Sequence, residues 1–389
     1  MTKLTRQNHS TLIKNIENSF IDKFNKEPIL VFSPGRINLI GEHTDYNEGF
    51  AFPAAVNKGI VAALQKSDSN MSSAYAVDKG EQIEFSLDKI KPSAEENWEN
   101  YVFGVIAEIQ NRSKTINNFN IAFGGNTPIG AGMSSSAALE NSVVFGLNEL
   151  FELGLSKNEM ILISQKAEHN YAGVKCGIMD QYASMFGQNN SALLLDCRTV
   201  ESVPYKIDFK DHELMLINTN VKHSLSGSAY NDRRSVCEAI SKMLNIKSLR
   251  DATKDDLIEI KDKVTAENYQ KALYVIQENE RVLLASRAVQ EGDLKALGNL
   301  LYQSHNGLQT QYKVSCVELD FLVAQAKHDK HVLGARMMGG GFGGCTINVV
   351  NKSKSEAFKS FVTKAYKKEF NKACSIYSVE LSEGTHIVR

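Results

Sequence analysis

The sequence predicts an α+β protein of two lobes, with the functional site in the cleft between them. Three observations carry that expectation. The chain has 389 residues, more than the ~250–300 at which single cores usually stop growing. Its first half mixes short β-rich runs with helical patterns. Its second half runs from a polar stretch through several helices to a glycine-rich strand–loop–strand.

Taken in order, residues 11–25 read as an amphipathic helix, with Leu12, Ile13, Ile16, Phe20 and Phe24 on one face. The apolar run Ile29 to Phe32 reads as a strand that delivers the chain to Pro34-Gly35, a turn signal. Ile60–Leu64 and Ile121–Phe123 are further strands. Leu139, Val143, Val144, Leu147, Leu150 and Phe151 recur at helical spacing, so Ser134 to Leu153 is a helix that Gly154 can cap. Ser156 and Glu159 form a capping-box pattern for a second helix that ends near Tyr171, before Gly173. Ala192–Leu195 and Leu214–Asn218 are strands. The stretch from Val200 to Asp211, polar and without strong periodicity, marks the boundary, so lobes over 1–205 and 206–389 are expected, the final strand being free to pack back on the first. Helices follow at about 232–244, 269–290 and 294–303, and Gly334 to Val350 reads as strand–loop–strand.

Composition narrows the function classes. Hydrophobic residues at 42% and charged residues at 23% are ordinary for a globular protein. A net charge of −1 provides no basic footprint for nucleic acid or an anionic membrane. Met1 to Glu17 lacks the apolar core of a signal peptide, and no apolar run approaches the ~18 residues of a membrane span. The cysteines at 176, 197, 237, 316, 345 and 374 are too scattered for zinc or a disulfide framework. A cytoplasmic monomer acting on small molecules is expected, with reduced thiols and with neither nucleic-acid nor membrane partners.

Four segments carry chemistry. Glu42-His43-Thr44-Asp45 packs two carboxylates, an imidazole and a hydroxyl into four residues, which suits a small polyol whose hydroxyls need partners once water leaves; a solvated loop after a strand is the other reading. Arg36 supplies a fixed positive charge nearby. Gly130-Ala131-Gly132-Met133-Ser134-Ser135-Ser136 precedes a helix, where small residues and free N–H groups can bind a phosphate; serine capping of an ordinary helix is the other reading. It is neither a Walker loop nor a G-x-G-x-x-G motif, since position 135 is serine. Asp180 follows Gly177-Ile178-Met179, so an apolar segment carries a carboxylate into a partly dry place, with Arg36 the candidate partner. Its alternative role is to cap a helix starting near Gln181. Gly339–Gly344 can adopt positive φ and make a tight loop, or simply turn a hairpin.

These segments resemble, in family order, the motifs of the galactokinases, within the superfamily of galactokinase, homoserine kinase, mevalonate kinase and phosphomevalonate kinase. The matches are Gly35 to Tyr46, Pro128 to Ala138, Cys176 to Gln181 and Gly339 to Cys345. The resemblance implies a lobe related to ribosomal protein S5 domain 2 and a ferredoxin-like lobe. It implies transfer of the γ-phosphoryl of ATP, with Mg²⁺, to the anomeric hydroxyl of α-D-galactose, giving galactose 1-phosphate and ADP. By the same resemblance Asp180 is the base and Arg36 stabilises the transferring phosphoryl. Glu42, His43, Thr44, Asp45, Gly177, Asp180 and Tyr230 face the sugar, residues 130–136 hold the nucleotide, and Ser136 and Glu168 bind the metal. Trp98 resembles a residue flanking the adenine, although a lone Trp also packs. Ser33 and Met338 depart from the usual Ala and Thr of the family. A kinase for N-acetylgalactosamine, galactosamine, arabinose or galacturonate, or a non-catalytic galactose sensor, are the alternative functions. Thr44 favours galactose itself, and the Ser136-Ala137 pair favours the enzyme over a sensor.

Overall fold

The computed structural model describes residues 3–93, 97–128, 130–222 and 226–388, and for 3–9, 222 and 226–229 the backbone alone. The first half holds α1 (Lys3–Phe24), β1 (Ile29–Asn38), β2 (Phe50–Ala51), β3 (Pro53–Lys66), β4 (Ser72–Ala76), β5 (Glu81–Phe85), α2 (Glu99–Gln110) and β6 (Phe119–Gly125). Next come α3 (Ser135–Phe151), α4 (Lys157–Asn170), α5 (Met179–Phe186), β7 (Ser191–Asp196) and β8 (Glu201–Lys206). The second half holds β9 (His212–Lys222), α6 (Ser226–Met243), α7 (Lys254–Glu259), α8 (Ala266–Glu291), α9 (Leu294–Thr310) and α10 (Val317–His328). It ends with β10 (Val332–Met338), β11 (Gly343–Asn351), α11 (Ser355–Phe370), β12 (Ser375–Val379) and β13 (His386–Ile387).

A six-stranded sheet in the order β13-β1-β3-β6-β4-β5 forms the first lobe. Period-two alternation along β3 explains how both its faces are covered. Val61 and Ala63 pack with Ile16 and Phe20 of α1, while Ala62 and Leu64 pack with Val105 of α2 and Leu147 of α3. A strand apolar on both faces reads as one continuous hydrophobic run, as Ile60–Leu64 does. The last strand, β13, pairs with β1 through Val31 and Phe32, so the end of the chain returns to the first sheet.

The second lobe centres on the antiparallel sheet β10-β11-β9-β12. Along β9, Met215 and Ile217 meet Leu322 of α10 and Phe358 and Val362 of α11. Leu214 and Leu216, pointing the other way, meet Val289 of α8 and Leu297 and Leu301 of α9.

Three sequence readings need correction. Pro34-Gly35 does not end the strand. β1 runs on to Asn38 with a bulge between Pro34 and Arg36, where the pairing on β3 jumps from Gly59 to Ala55. Proline cannot donate to a ladder, and a bulge is where a strand tolerates it; the result sets Arg36 on a strand rather than a loop. The helix from 135 ends with Glu152 in the left-handed region, and not at Gly154. The polar stretch 200–211 contains β8, which pairs antiparallel with β7. Its residues are mostly exposed, so they lack the apolar alternation that would have announced a strand.

α9 approaches β10 closely enough that a Cβ on Gly298 would strike the Leu333 carbonyl. That contact seats β10, which leads into the glycine loop. Gly298→Ala should therefore destabilise the protein by about 1–3 kcal/mol, the usual cost of overpacking, as read from denaturant unfolding. An unchanged midpoint would show that α9 can slide off β10 freely.

Candidate active site

The bulge in β1 aims Arg36 into the interior, where its side chain is 5% exposed. Its Nε donates to Asp180 Oδ1 at 2.7 Å and its Nη2 to Asp180 Oδ2 at 2.6 Å. Two parallel bonds of this kind fix both groups in one plane. Nη1 donates to the Gly132 carbonyl, and the Arg36 backbone N–H donates to Met133 O at 3.0 Å. Burial works against the guanidinium charge, but Asp180, Glu42 and Asp45 more than offset it and raise the pKa. Asp180 lies in the first turn of α5, behind the N-cap residue Ile178; its carboxylate serves Arg36 and does not cap the helix.

The loop before α3 passes through the left-handed region at Gly130 (φ 69°), Gly132 (φ 66°) and Ser134 (φ 52°). The two glycines adopt it without the penalty a Cβ imposes. Ser134 occupies the N-cap position but makes no side-chain cap bond, so serine capping is not what this sequence is used for. The first amides of α3 are left without a side-chain acceptor, the state in which a helix N-terminus can receive an anion. Ala131 and Met133 are buried beneath the loop; Ile129 lies outside the described residues.

In the first turn of α3, Ser136 Oγ donates to Glu168 Oε1 of α4 at 3.2 Å. Glu168 Oε2 accepts from Gln181 Nε2 at 2.8 Å. Burial, then the neighbouring Asp180, push the Glu168 carboxyl up to about 7. Glu140, fully buried on α3, is pushed well above the ordinary carboxylate range by burial and then by Glu168. This corner therefore carries more carboxylates than cations.

The polar loop after β1 is clamped from the second lobe by α8. Glu278 Oε1 accepts from the Gly41 N–H at 3.0 Å, Asn279 Oδ1 accepts from the Phe50 N–H at 2.8 Å, and the Tyr274 hydroxyl donates to the Glu42 carbonyl at 3.1 Å. Arg336 of β10, fully buried, donates to the carbonyls of Leu39 (2.6 Å), Asn38 and Met337, and to Glu42 Oε1 at 3.0 Å. The same Glu42 oxygen accepts from the Gly339 N–H at 2.8 Å. Neither Arg336 nor Glu278 was singled out from sequence. The available signal was a charge set within the otherwise apolar run Val332 to Met338, which has to find buried partners.

His43 adopts a positive φ of 62° and rests against Tyr46, Tyr230 and Tyr312, the last two ring centroids 5.3 and 5.0 Å away. Its Nδ1 meets the Tyr46 hydroxyl at 2.8 Å, and Tyr46 meets the Tyr312 hydroxyl at 2.7 Å. Burial, against a weaker pull from the Gly340 backbone, lowers its pKa to about 3, so the ring is neutral. Nε2 is buried without a hydrogen-bond partner. Such an orphan is costly until something supplies the missing bond.

Asp45 lies against Gly177, where any Cβ would collide with its carboxylate; glycine is required there for that reason. Tyr230, on α6, stacks at an angle against His43 and Tyr46 and touches the space beside Gly340. The Thr44 hydroxyl is directed at the Gly41 and Phe50 carbonyls, 2.9 and 2.7 Å away, and so shapes the loop. The Trp98 indole N–H donates to Glu81 at 2.7 Å and its ring lies edge-on to Phe123. The remaining expected residues converge: Arg36, Asp180, Glu42, His43, Asp45, Gly177 and Tyr230 on one side, residues 130–136 and Glu168 on the other. A groove of about 1800 Å³ lined by Lys58, Lys206, His212 and Glu380 contains none of them.

The sequence matches the galactokinase galactose-binding signature over residues 18–66, the GHMP kinase N-terminal domain over 100–188 and the GHMP kinase C-terminal domain over 285–368. It is 39% identical to the galactokinase of Thermotoga petrophila over 91% of this chain and 98% of that one. It is 39% identical to that of Clostridium perfringens over 96% and 98%. Among solved structures it resembles the galactose complex of Lactococcus lactis galactokinase, with a TM-score of 0.92 and 34% identity over 96% of this chain and 99% of that one. The mevalonate kinase of Methanococcus jannaschii, at 17% identity and a TM-score of 0.64 over 92% and 99%, shares the fold.

The Asp45 environment makes stability depend on pH. Burial, then the Asp180 carboxylate, raise its carboxyl from 3.8 to about 7. The folded state thus retains a proton that the unfolded chain releases near pH 4. Folding is penalised increasingly as pH climbs from about 4 to about 7, and by a constant amount above. Asp45→Asn removes the penalty, so its melting temperature should exceed that of the parent protein by more at pH 8 than near pH 4. A difference independent of pH would mean that Asp45 ionises as freely in the fold as in water.

Proposed function

The chain belongs to the galactokinase family of the GHMP kinases, and from that premise we propose how its own residues share the transfer of the ATP γ-phosphoryl to the anomeric hydroxyl of α-D-galactose. The observation that carries the reading is the Arg36 side chain, which holds Asp180 with one edge and the Gly132 carbonyl of the phosphate loop with the other. One planar group thereby fixes the distance between the proton acceptor and the phosphate cradle.

The division of work follows from the geometry. Each Asp180 oxygen accepts one bond from Arg36 and keeps a lone pair, which can take the proton of the attacking hydroxyl. Arg36, still charged, meets the negative charge that spreads over the phosphoryl oxygens during transfer. Three left-handed residues and the uncapped start of α3 receive the nucleotide phosphates. Glu42, His43, Asp45 and Tyr230 bind the sugar, the orphaned Nε2 of His43 taking a partner from a hydroxyl. Gly177 leaves room for Asp45. Ser136 and Glu168 would hold the magnesium ion of ATP. Two adjacent oxygen donors suit it, the raised Glu168 carboxyl is what a nearby cation would relieve, and phosphate and water would complete the shell. Bound there, the ion supplies charge neutralisation for the phosphates.

Three experiments test this reading. ATP consumption across a panel of sugars should be fast with galactose and poor with glucose, since buried donors and acceptors left unpaired by the wrong epimer can discriminate by up to ~10⁴; equal turnover would remove the sugar assignment. Asp180→Asn should retain galactose and ATP binding by calorimetry while kcat falls roughly 10²–10⁴-fold. Arg36→Lys, which keeps the charge but loses the fork, should recover only part of the activity lost in Arg36→Ala. If Arg36→Ala abolished galactose binding and left the residual kcat intact, Arg36 would be a scaffold for the sugar loop.

A further inference from the structure

Gln181 follows Asp180 in the first turn of α5 and is fully buried. Its Nε2 reaches two carboxylates at once, Glu168 Oε2 at 2.8 Å and Glu140 Oε2 at 3.4 Å. The opposite oxygen of Glu168 is the one that accepts from Ser136. The Gln181 backbone is fixed as well, its carbonyl accepting from Asn141 Nδ2 of α3 at 2.9 Å. Asn141 Oδ1 in turn accepts from Ser164 of α4 at 2.9 Å. Three helices therefore meet at one amide, and that amide faces the carboxylate on the metal side of the site.

We infer that Gln181 is a positioning residue that aims Glu168: it occupies one carboxylate oxygen so that the other is presented beside Ser136 toward the magnesium of the bound nucleotide. The inference rests on the reading of Ser136 and Glu168 as magnesium-side groups. Three donors converge on Glu168, Ser136 on Oε1 and, on Oε2, Gln181 at 2.8 Å and the weaker Cys176 thiol at 3.7 Å. Without Gln181, Oε2 keeps only the thiol, a weak donor, and faces Glu140, so the carboxylate is far less firmly oriented. Neighbouring positions on α5 thus take opposite tasks, with Asp180 turned to Arg36 and Gln181 turned to Glu168. Residues that orient a metal ligand typically govern its affinity by 10–100-fold.

The test is calorimetric titration of the full-length protein with ADP, in excess Mg²⁺ and in EDTA, the ratio of the two affinities reporting what magnesium adds. Gln181→Met, similar in volume but without donors, should lower that ratio by about tenfold or more. Its ADP affinity in EDTA and its galactose affinity should match the parent protein. If Gln181→Met fails to fold, Gln181→Asn, which draws the amide back by one methylene, carries the same expectation. Glu168→Ala is the control. A ratio that collapses in Glu168→Ala but holds in the Gln181 variants would overturn the inference and leave the metal reading standing. A ratio unchanged in Glu168→Ala would remove the metal reading, and the inference with it. Equal losses in galactose, EDTA and Mg²⁺ titrations of the Gln181 variants would reduce Gln181 to core packing.

Discussion

Arg36 is held on every side, and the geometry of the site depends on that. Its backbone belongs to β1, its N–H bonds the phosphate loop, and its guanidinium divides between Asp180 and Gly132. A buried arginine is tolerable only if all its donors and its charge are answered. Here the groups that answer it are the Asp180 carboxylate and the Gly132 carbonyl of the loop before α3, which it holds at a fixed separation. The β1 bulge makes this possible by shifting the register at Pro34, so that the side chain after Gly35 points inward. A single backbone irregularity in one strand thereby sets the spacing of the Asp180 carboxylate, the loop before α3 and the Arg36 charge.

A second constraint explains why two lobes are needed. The loop over residues 39–50 grows from the first sheet, yet its anchors come from α8 and β10 of the second lobe. Glu278, Asn279, Tyr274 and Arg336 together fix Gly41, Phe50 and Glu42. Glu42 then carries the connection to Gly339 at the start of the glycine loop, and that loop lies against the phosphate loop, where the Gly132 backbone approaches Gly339 and Met338. Sugar loop, glycine loop and phosphate loop share one set of buried polar contacts. Buried networks of this kind specify a unique arrangement when every member is satisfied.

Around the site, some buried polar atoms are left unsatisfied. His43 Nε2, Glu140 Oε1 and Gln181 Oε1 lack partners, and Asp45, Glu168 and Glu140 have carboxyls pushed upward by burial first and by neighbouring carboxylates next. Such groups disfavour the folded state in isolation, and substrates with their cation are what would complete them. Part of the fold's polar tension therefore sits where binding can relieve it.

The sequence by itself determined the element types along much of the chain and singled out most of the residues that the fold brings together at the candidate site, because local signals sufficed. Helical periodicity fixed α3 and α8, the Ser156–Glu159 box fixed the start of α4, with both its bonds formed, and the runs at 36–45, 130–136 and 177–181 stood out by residue type and by resemblance to a known family. What remained undecided depended on contacts between residues far apart in the chain. Nothing local shows that Pro34-Gly35 is a bulge inside a strand, since a turn and a bulge use the same residues. Nothing local separates Thr44, turned to its own loop, from Asp45, turned to Gly177. Arg336 and Glu278 lie about 240 to 300 positions beyond the residues they hold, and only packing the two lobes together gives those buried charges their partners. The kinds of groups available were written in local order; which of them converge on one site was decided by the tertiary fold, because burial and pairing are properties of neighbours in space.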